Sequence, residues 1–208
     1  MHPHHERADL DTVEIYESPK ELPDMRFWTD SPESAAKYMV QLKADETFKQ
    51  VGDFNGSPIY SSGNFFLFSE VSGQISFMVR WERHPFPGNR GDYVTQIALW
   101  RDRLLGQKGL SEYVFWNFIF QMTHSVMTDG SQTKTGKQFW KSRASDALQR
   151  NGVSLYLVNV RDYSARLISN TRQYTEAALQ AYGSEDRHRD LRLLITDKGL
   201  RGLNLTSW

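Results

Sequence analysis

One stretch of the chain, residues 93–160, alternates strand patterns with helix patterns and constrains the fold more than any other. It contains a strand, a glycine-bearing loop, an apolar helix, a second strand ending in Asp129, a polar turn, another helix and a third strand. Strands that alternate with helices of this length predict βαβ crossovers. A glycine loop leading from the carboxyl end of a strand into a helix commonly binds phosphorylated ligands. The stretch therefore predicts where a ligand site lies.

The part of the chain before this stretch predicts antiparallel strands. Asn55 and Gly56 lie between two strand-like runs, and both residues suit the positive φ angles that a tight hairpin turn requires. A second hairpin is predicted around Ser72 and Gly73. Two Pro and two Gly then predict a loop over residues 84–92. The sheet is therefore expected to begin as an antiparallel one.

The domain organisation follows from the length of 208 residues, which suits one well-buried core. Residues 1–30 are mostly polar and are expected to form an N-terminal arm. Residues 31–170 are expected to form the main domain, which begins with a helix capped by Ser31. Residues 171–208 are expected to add a helix and a strand as an extension packed on the same domain.

The composition excludes several functional classes. Lys plus Arg number 25 and Asp plus Glu number 25, so nucleic acid is a possible partner but is not favoured by charge. No apolar run approaches the roughly 20 residues that span a bilayer, and the first residues lack the apolar segment of a secretory signal. A soluble, cytoplasmic protein without a membrane partner is expected. The oligomeric state is not indicated.

No metal site is expected. The chain has no cysteine, and His2, His4 and His5 lie in a terminal polar tract, which is more typical of disorder than of a metal centre. His124 and His188 lack the spacing of metal ligands with other residues. The histidines are therefore interpreted as non-ligands.

The order of antiparallel strands, strand, glycine loop, helix, strand, helix and strand resembles the GNAT acyltransferase fold. The resemblance implies an α/β (mixed α+β) class, with a mixed, mostly antiparallel central sheet and helices on both faces. In that family a central strand splays from its neighbour, and the pantetheine arm of acyl-CoA lies in the cleft. The implied cofactor is acetyl-CoA or another acyl-CoA.

The family's pyrophosphate loop has the pattern Q/R-x-x-G-x-G/A, and the best match here is GQKGLS, residues 106–111. In this frame Gly106 takes the Q/R position, Gly109 the first Gly and Ser111 the small residue. A second frame starts at Arg103, but Lys108 then takes the last small position. The resemblance implies a cofactor site formed by Ile97, Leu99, Gln107, Lys108, Gly109, Leu110 and Ser111.

The physical requirements of phosphate binding agree with this loop. A phosphate on a helix N-terminus needs free N–H groups, a small side chain and a nearby cation. Gly109, Leu110 and Ser111 are candidates for the amides, and Lys108, Arg101 or Arg103 for the charge. The alternative is that Gly106 and Gly109 simply form a turn from strand to helix.

A second resemblance covers MTDGSQTKTGKQFWKSRASDAL, residues 127–148. Phage-encoded proteins of the acyltransferase fold carry a similar stretch, and the matching positions are Thr128, Asp129, Gln132, Thr133, Gly136, Phe139 and Trp140. DNA-base-modifying members of the fold carry a comparable stretch, so a nucleic-acid base stays an alternative substrate. Gln132, Thr133 and Trp140 are accordingly candidate substrate contacts, although Trp140 on a helix stripe is more typical of a core or pocket-wall residue.

Three side chains are catalytic candidates. Asp129, at the carboxyl end of a strand, suits a general base for an amine, or else an ordinary Asp-Gly-Ser turn. Glu82 is a second candidate, with His84 as its partner and as a substrate contact, or else both are solvated residues of a hairpin end. Many GNAT enzymes use a Tyr in a pattern like F-Y-x-x-x-G-F to protonate the departing thiolate. Leu148 stands at that position, so Tyr156 becomes the acid candidate, with Tyr163 or water as alternatives.

Three functions remain open from the sequence. The first is a GNAT-like acyltransferase that moves an acetyl or other acyl group from acyl-CoA to the amine of a small molecule or protein. The second is an inactive member of the fold that binds a partner through an exposed aromatic surface. The third is modification of a nucleic-acid base, which needs a positively charged groove leading to Asp129.

Overall fold

The structure is a computed structural model, and it describes residues 40, 43–63, 65–69, 75–86, 91–101, 107–128, 134–182, 190–200 and 203–206. Side chains are described for the same residues except 65–69, 96–98, 100–101 and 134–135. The predicted N-terminal arm and most of the helix predicted from Ser31 lie outside these residues, as do the three N-terminal histidines.

The described residues form ten strands and three helical segments. The strands are β1 (Lys49–Phe54), β2 (Ser57–Ser62), β3 (Phe65–Ser69), β4 (Ile75–Pro85), β5 (Asp92–Arg101), β6 (Ser125–Met127), β7 (Ser154–Asn159), β8 (Ser164–Ile168), β9 (Leu191–Thr196) and β10 (Asn204–Thr206). The helices are α1 (Leu110–Val114, a π-helical turn Phe115–Ile119, and Phe120–Thr123), α2 (Lys134–Gln149) and α3 (Thr171–Ala181). None of them is both long and apolar enough to cross a membrane.

All ten strands join one sheet in the order β1-β2-β3-β4-β5-β6-β9-β7-β8-β10. Within the described residues, only β5 with β6 and β8 with β10 pair in parallel, and the other neighbours are antiparallel. The predicted mixed α/β class with a mostly antiparallel sheet is confirmed. The order from β1 to β7 also agrees with the GNAT-like arrangement expected from the sequence.

The first predicted hairpin is confirmed. Asn55 (φ 53°) and Gly56 (φ 82°) both have positive φ and connect β1 to β2. The Gly56 N–H donates a hydrogen bond of 2.7 Å to the Asp53 carboxylate, which stabilises the turn. The second predicted hairpin pairs β3 with β4, but its turn lies outside the described residues.

The loop predicted for residues 84–92 is shorter in the structure. β4 continues through His84 to Pro85, which pairs with Asp92 of β5. Two contacts hold this end of the hairpin together: an ion pair of 3.1 Å between Arg83 and Asp92, and stacking of His84 on Tyr93 with ring centroids 5.3 Å apart. These cross-strand contacts outweigh the breaking tendency of Pro85.

The C-terminal segment is more central than the sequence predicted. β9 lies inside the sheet, between β6 and β7. Leu193, Leu194 and Ile195 are almost fully buried there, because a strand with helices on one face and a second apolar cluster on the other suits consecutive apolar residues. The two described strands of this segment, β9 and β10, therefore belong to the same sheet as β1 to β8.

The main core lies between one face of the sheet and all three helices. Buried residues from β4, β5, β7 and β9 share a single cluster with buried residues from α1, α2 and α3. A smaller cluster on the opposite face contains Met127, Val158, Ala165 and Leu194. The helices α1, α2 and α3 therefore pack on one face, and the helix predicted from Ser31 lies mostly outside the described residues, which include its helical residues Val40 and Lys43.

The middle of α1 departs from a regular α-helix. The Phe120 N–H bonds to the Phe115 carbonyl five residues earlier, and the Gln121 side chain donates to the Trp116 carbonyl at 3.1 Å. The side chain of Phe118 packs against β1 at Gly52. The sequence predicted an uninterrupted helix here.

We expect Gly52→Ala to lower the free energy of unfolding by about 1–3 kcal/mol, as overpacking does. A Cβ atom at this position would lie 2.7 Å from Phe118 Cζ, so the half-buried Phe118 ring or the strand would have to shift. Urea denaturation measures the effect. Gly199→Ala is the matched control, because nothing lies within 4 Å of a Cβ there. Equal stability of the two variants would contradict the close approach.

Candidate active site

The parallel pair β5 and β6 stays together over a short distance. The strands pair at two positions, Val94 with Val126 and Thr95 with Met127. β5 then continues to Arg101, and no further pair with β6 exists among the described residues. The carboxyl half of β5 therefore extends past its parallel partner.

After β6 the chain is held by β9. The Thr128 N–H donates to the Leu193 carbonyl at 2.8 Å, and the Leu193 N–H donates to Thr128 Oγ1 at 3.0 Å. Thr128 is buried. These two bonds continue the pairing of β6 with β9 by one residue, whereas the described pairing of β5 with β6 ends at Met127.

A β-bulge interrupts β5 close to this point. Arg80 pairs with Ala98 and Trp81 pairs with Gln96, so Ile97 is skipped in the ladder with β4. An extra residue of this kind is left unpaired and bends its strand. Because the described pairing with β6 stops two residues earlier, Ile97 has no ladder partner on either side among the described strands.

Leu99 lies on the helix-facing side of β5. Its side chain is 2% exposed and belongs to the helix-facing core. Any contact of this residue with a cofactor is therefore restricted to the backbone. The side chain of Ile97 is outside the described set, so its predicted contact also concerns the backbone.

Gln107 anchors the glycine loop to the first hairpin. Its amide nitrogen donates to Ser57 Oγ at 3.2 Å, and its amide oxygen accepts from Asn55 at 3.4 Å. The Gln107 side chain therefore helps to position the loop, and its contact with a cofactor stays a prediction.

Gly109 begins α1 in the left-handed conformation, with φ 86°. Its carbonyl accepts the Tyr113 N–H at 2.9 Å, and no described side chain caps the helix N-terminus. Leu110 is fully buried, so its only possible ligand contact is its backbone, whereas Lys108 is exposed. The loop therefore combines an uncapped helix start with a nearby cation, as phosphate binding requires.

The first turn of α1 is also held by a buried arginine. Ser111 is half-buried, and the carboxylate of the next residue, Glu112, lies 3.5 Å from Arg143 of α2. Arg143 is 6% exposed and also lies 3.1 Å from Asp146. Burial lowers the pKa of Arg143 and the two carboxylates oppose that shift, but an arginine remains charged. Arg143 thereby offsets the negative charge of Glu112 beside the predicted phosphate loop.

A polar cluster lies beside the last residue of β5 that pairs with β6. Glu82 of β4 is in register with Thr95 of β5, the last β5 residue paired with β6. His84 Nε2 lies 2.8 Å from Thr95 Oγ1 and 3.7 Å from Glu82 Oε2. Tyr93 stacks on His84 and contacts Phe86 at a centroid distance of 4.8 Å. The structure therefore brings Glu82 and His84 together beside Thr95. The aromatic rings of Tyr93 and Phe86 lie next to them.

Tyr156 is not part of this cluster. Tyr156 of β7 pairs with Leu194 of β9. Leu194 pairs with Met127 of β6, and Met127 pairs with Thr95 of β5. Three strand spacings of 4.7–4.9 Å place Tyr156 about 14 Å from Thr95 on the same face. Tyr156 and Glu82 therefore cannot act on one reacting atom in this arrangement.

Trp140 is a core residue. Its side chain is 0% exposed, and its ring centroid lies 5.9 Å from Phe115 and 5.7 Å from Phe139. The substrate contact predicted for Trp140 is thus corrected to the packing alternative, because a side chain enclosed on all sides has no surface left for a substrate.

The remaining sequence candidates fall outside the described residues. Asp129, Gln132 and Thr133 belong to the segment between β6 and α2, which is not described. Among the side chains that are described, no three His, Asp or Glu residues group as a metal site.

Comparison with known proteins gives limited similarity. No protein-family model and no curated protein matches the chain. Among solved structures, the chain is similar to the N-acetyltransferase YlbP of Bacillus subtilis in complex with coenzyme A, at 12% identity and a TM-score of 0.35. The match covers 64% of this chain and 82% of the other. A similarity this weak carries no argument about function, so the proposal below depends on the strand order and the site.

Proposed function

We propose that the protein is an acyl-CoA-dependent N-acyltransferase of the GNAT type. The observation that carries the proposal is the end of the described pairing between β5 and β6 at Thr95 and Met127, two residues before a bulge at Ile97. A backbone stretch without a ladder partner, at the carboxyl end of a central strand, provides amides for an extended ligand. The uncapped start of α1 lies at the same end of β5.

The cofactor of this proposal is acetyl-CoA or another acyl-CoA. Its pyrophosphate would accept from the backbone N–H groups of Gly109 and Ser111, since the Leu110 N–H donates to the Gln107 carbonyl at 3.3 Å, and Lys108 would be the nearby cation. Its pantetheine arm would follow the unpaired edge of β5, and the thioester carbonyl would accept from the backbone near Ile97. Donors fixed before the reaction stabilise the oxyanion that develops in acyl transfer.

The reaction of the proposal is direct attack of an amine on the thioester carbon. A C–N bond forms, the C–S bond breaks, and the thiolate leaves with the electron pair of that bond. Glu82, with His84, removes the proton that the amine loses, and water protonates the thiolate, because Tyr156 is too distant. Asp129, Gln132 and Thr133 follow β6 directly and are proposed as the acceptor side.

The acceptor is proposed as a small-molecule or protein amine, and the relation to phage proteins stays a prediction. The binding-module alternative required an exposed surface of Trp and Phe. Among the described side chains, the large exposed apolar residues are Val40, Tyr163, Leu167, Leu179 and Leu205. No described observation therefore favours that alternative.

We expect Glu82→Gln to reduce the rate of acetyl transfer by about 100-fold, the scale of general base catalysis. Release of the CoA thiol from acetyl-CoA, with a panel of primary amines as acceptors, measures the rate. Glu176→Gln on the exposed side of α3 is the control and should retain the full rate. Equal rates for the two variants would remove Glu82 from the mechanism, and no thiol release with any amine would contradict the proposed reaction.

A further inference from the structure

A separate groove lies between α2 and α3. Its volume is about 600 Å³, within the range of about 300–1,000 Å³ that is usual for small-molecule sites. The lining residues are Lys137, Gln138, Lys141, Tyr174, Thr175, Ala178, Leu179 and Tyr182. None of them belongs to β4, β5, β6 or the glycine loop, so the groove is distinct from the candidate acyl-CoA site.

One wall of the groove is cationic. Lys137 and Lys141 are four residues apart on α2 and therefore lie on the same side of the helix. The Lys137 ammonium donates a hydrogen bond of 3.0 Å to the Tyr182 carbonyl at the end of α3, and it lies 6.0 Å from the centre of the Tyr182 ring. Lys137 is thus held in place before any ligand arrives, and Lys141 is exposed beside it.

The other wall and the floor are aromatic and apolar. Tyr174 is almost fully buried, and this burial raises its pKa to about 12, so its phenol is neutral at ordinary pH. Leu179 is 71% exposed at the rim of the groove. The described residues that line the groove include two ammonium groups and no carboxylate, so the charge of this described lining is complementary to an anion.

We propose that this groove binds a small organic anion that joins a carboxylate to a flat apolar body. The carboxylate would accept hydrogen bonds from Lys137 and Lys141, and charge-assisted bonds of this kind are stronger than neutral ones. The apolar body would lie against Tyr174, Ala178 and Leu179. The proposal is independent of acyl transfer, because it uses no residue of the acyl-CoA site.

Titration with 2-naphthoate and 2-naphthamide tests the proposal, because the two probes share one apolar body and differ in charge. We expect 2-naphthoate to bind about tenfold more tightly, with the backbone amide NMR shifts confined to α2 and α3. Equal affinity of the two probes would overturn the proposal, as would shifts located elsewhere.

Variants of the groove sharpen the test. Lys141→Gln is expected to weaken 2-naphthoate binding about fivefold and to leave 2-naphthamide unchanged. Leu179→Glu is expected to weaken 2-naphthoate further, because it adds a like charge at the rim. The exposed Lys198 lies outside the groove, and Lys198→Gln should behave as the wild type. Loss of binding that is equal in Lys141→Gln and Lys198→Gln would contradict a site in this groove.

Discussion

Replacing Trp140 by alanine is expected to lower the free energy of unfolding by about 3–5 kcal/mol, the usual cost of a large cavity in a core. Trp140 is fully buried and is among the largest enclosed side chains of the described residues. Trp140 belongs to α2, and its ring packs against Phe115 in the π-helical turn of α1. Urea denaturation monitored by circular dichroism, a signal that does not depend on tryptophan fluorescence, measures the change.

Two controls separate packing from other effects. Trp140→Phe should lower the free energy of unfolding by less, about 1–2 kcal/mol. The Trp140 indole N–H has no hydrogen-bond partner within the described structure, so its removal leaves no new unpaired group. Leu179→Ala, at an exposed position, should cost under about 0.5 kcal/mol. A Trp140→Ala protein as stable as Leu179→Ala would contradict the central position of Trp140.

Replacing Gly109 by valine is expected to weaken acetyl-CoA binding by about tenfold or more, equivalent to about 1.4 kcal/mol. Gly109 has φ 86°, which a β-branched residue does not adopt without strain. The backbone of residues 109–111 would change, and with it the amides proposed to hold the pyrophosphate. Isothermal titration calorimetry measures the affinity.

Gly152→Val is the matched control for this change. Gly152 has φ 80° and nothing within 4 Å of a Cβ, and it follows α2 in the turn before β7, outside the candidate site. Both variants should lose a similar amount of stability, about 1–3 kcal/mol for a strained backbone position. Equal acetyl-CoA affinity in the two variants would show that the loop at Gly109 does not bind the cofactor.

The local parts of the fold were predictable from sequence. The hairpin at Asn55 and Gly56 is specified by residues that suit positive φ. The apolar stripe of α2, which includes Trp140 and Ala144, is specified by helical periodicity. Such features depend on neighbours in the chain, so the sequence alone indicates them.

The non-local parts were not predictable in the same way. The apolar run of β9 predicted a strand, but nothing in that run shows that β9 pairs with both β6 and β7. The bulge at Ile97 and the π-helical turn at Phe115 depend on the strands and helices that pack against them. A single sequence carries no local signal for these features.

The candidate site was predictable in part. The glycine loop and the pairing of Glu82 with His84 were expected from their positions at strand ends. Thr95, which contacts His84, was missed, and its signal was the polar pair Thr95 and Gln96 between the apolar residues Val94 and Ile97. The contact of Arg143 with Glu112 becomes apparent only when α1 and α2 pack together.

Calorimetric titration of the protein with acetyl-CoA tests the central claim most directly. The unpaired bulge at Ile97 of β5 and the uncapped start of α1 predict saturable binding with a dissociation constant below about 1 mM, equivalent to at least about 4 kcal/mol. The absence of heat at millimolar acetyl-CoA would contradict an acyl-CoA site in this protein.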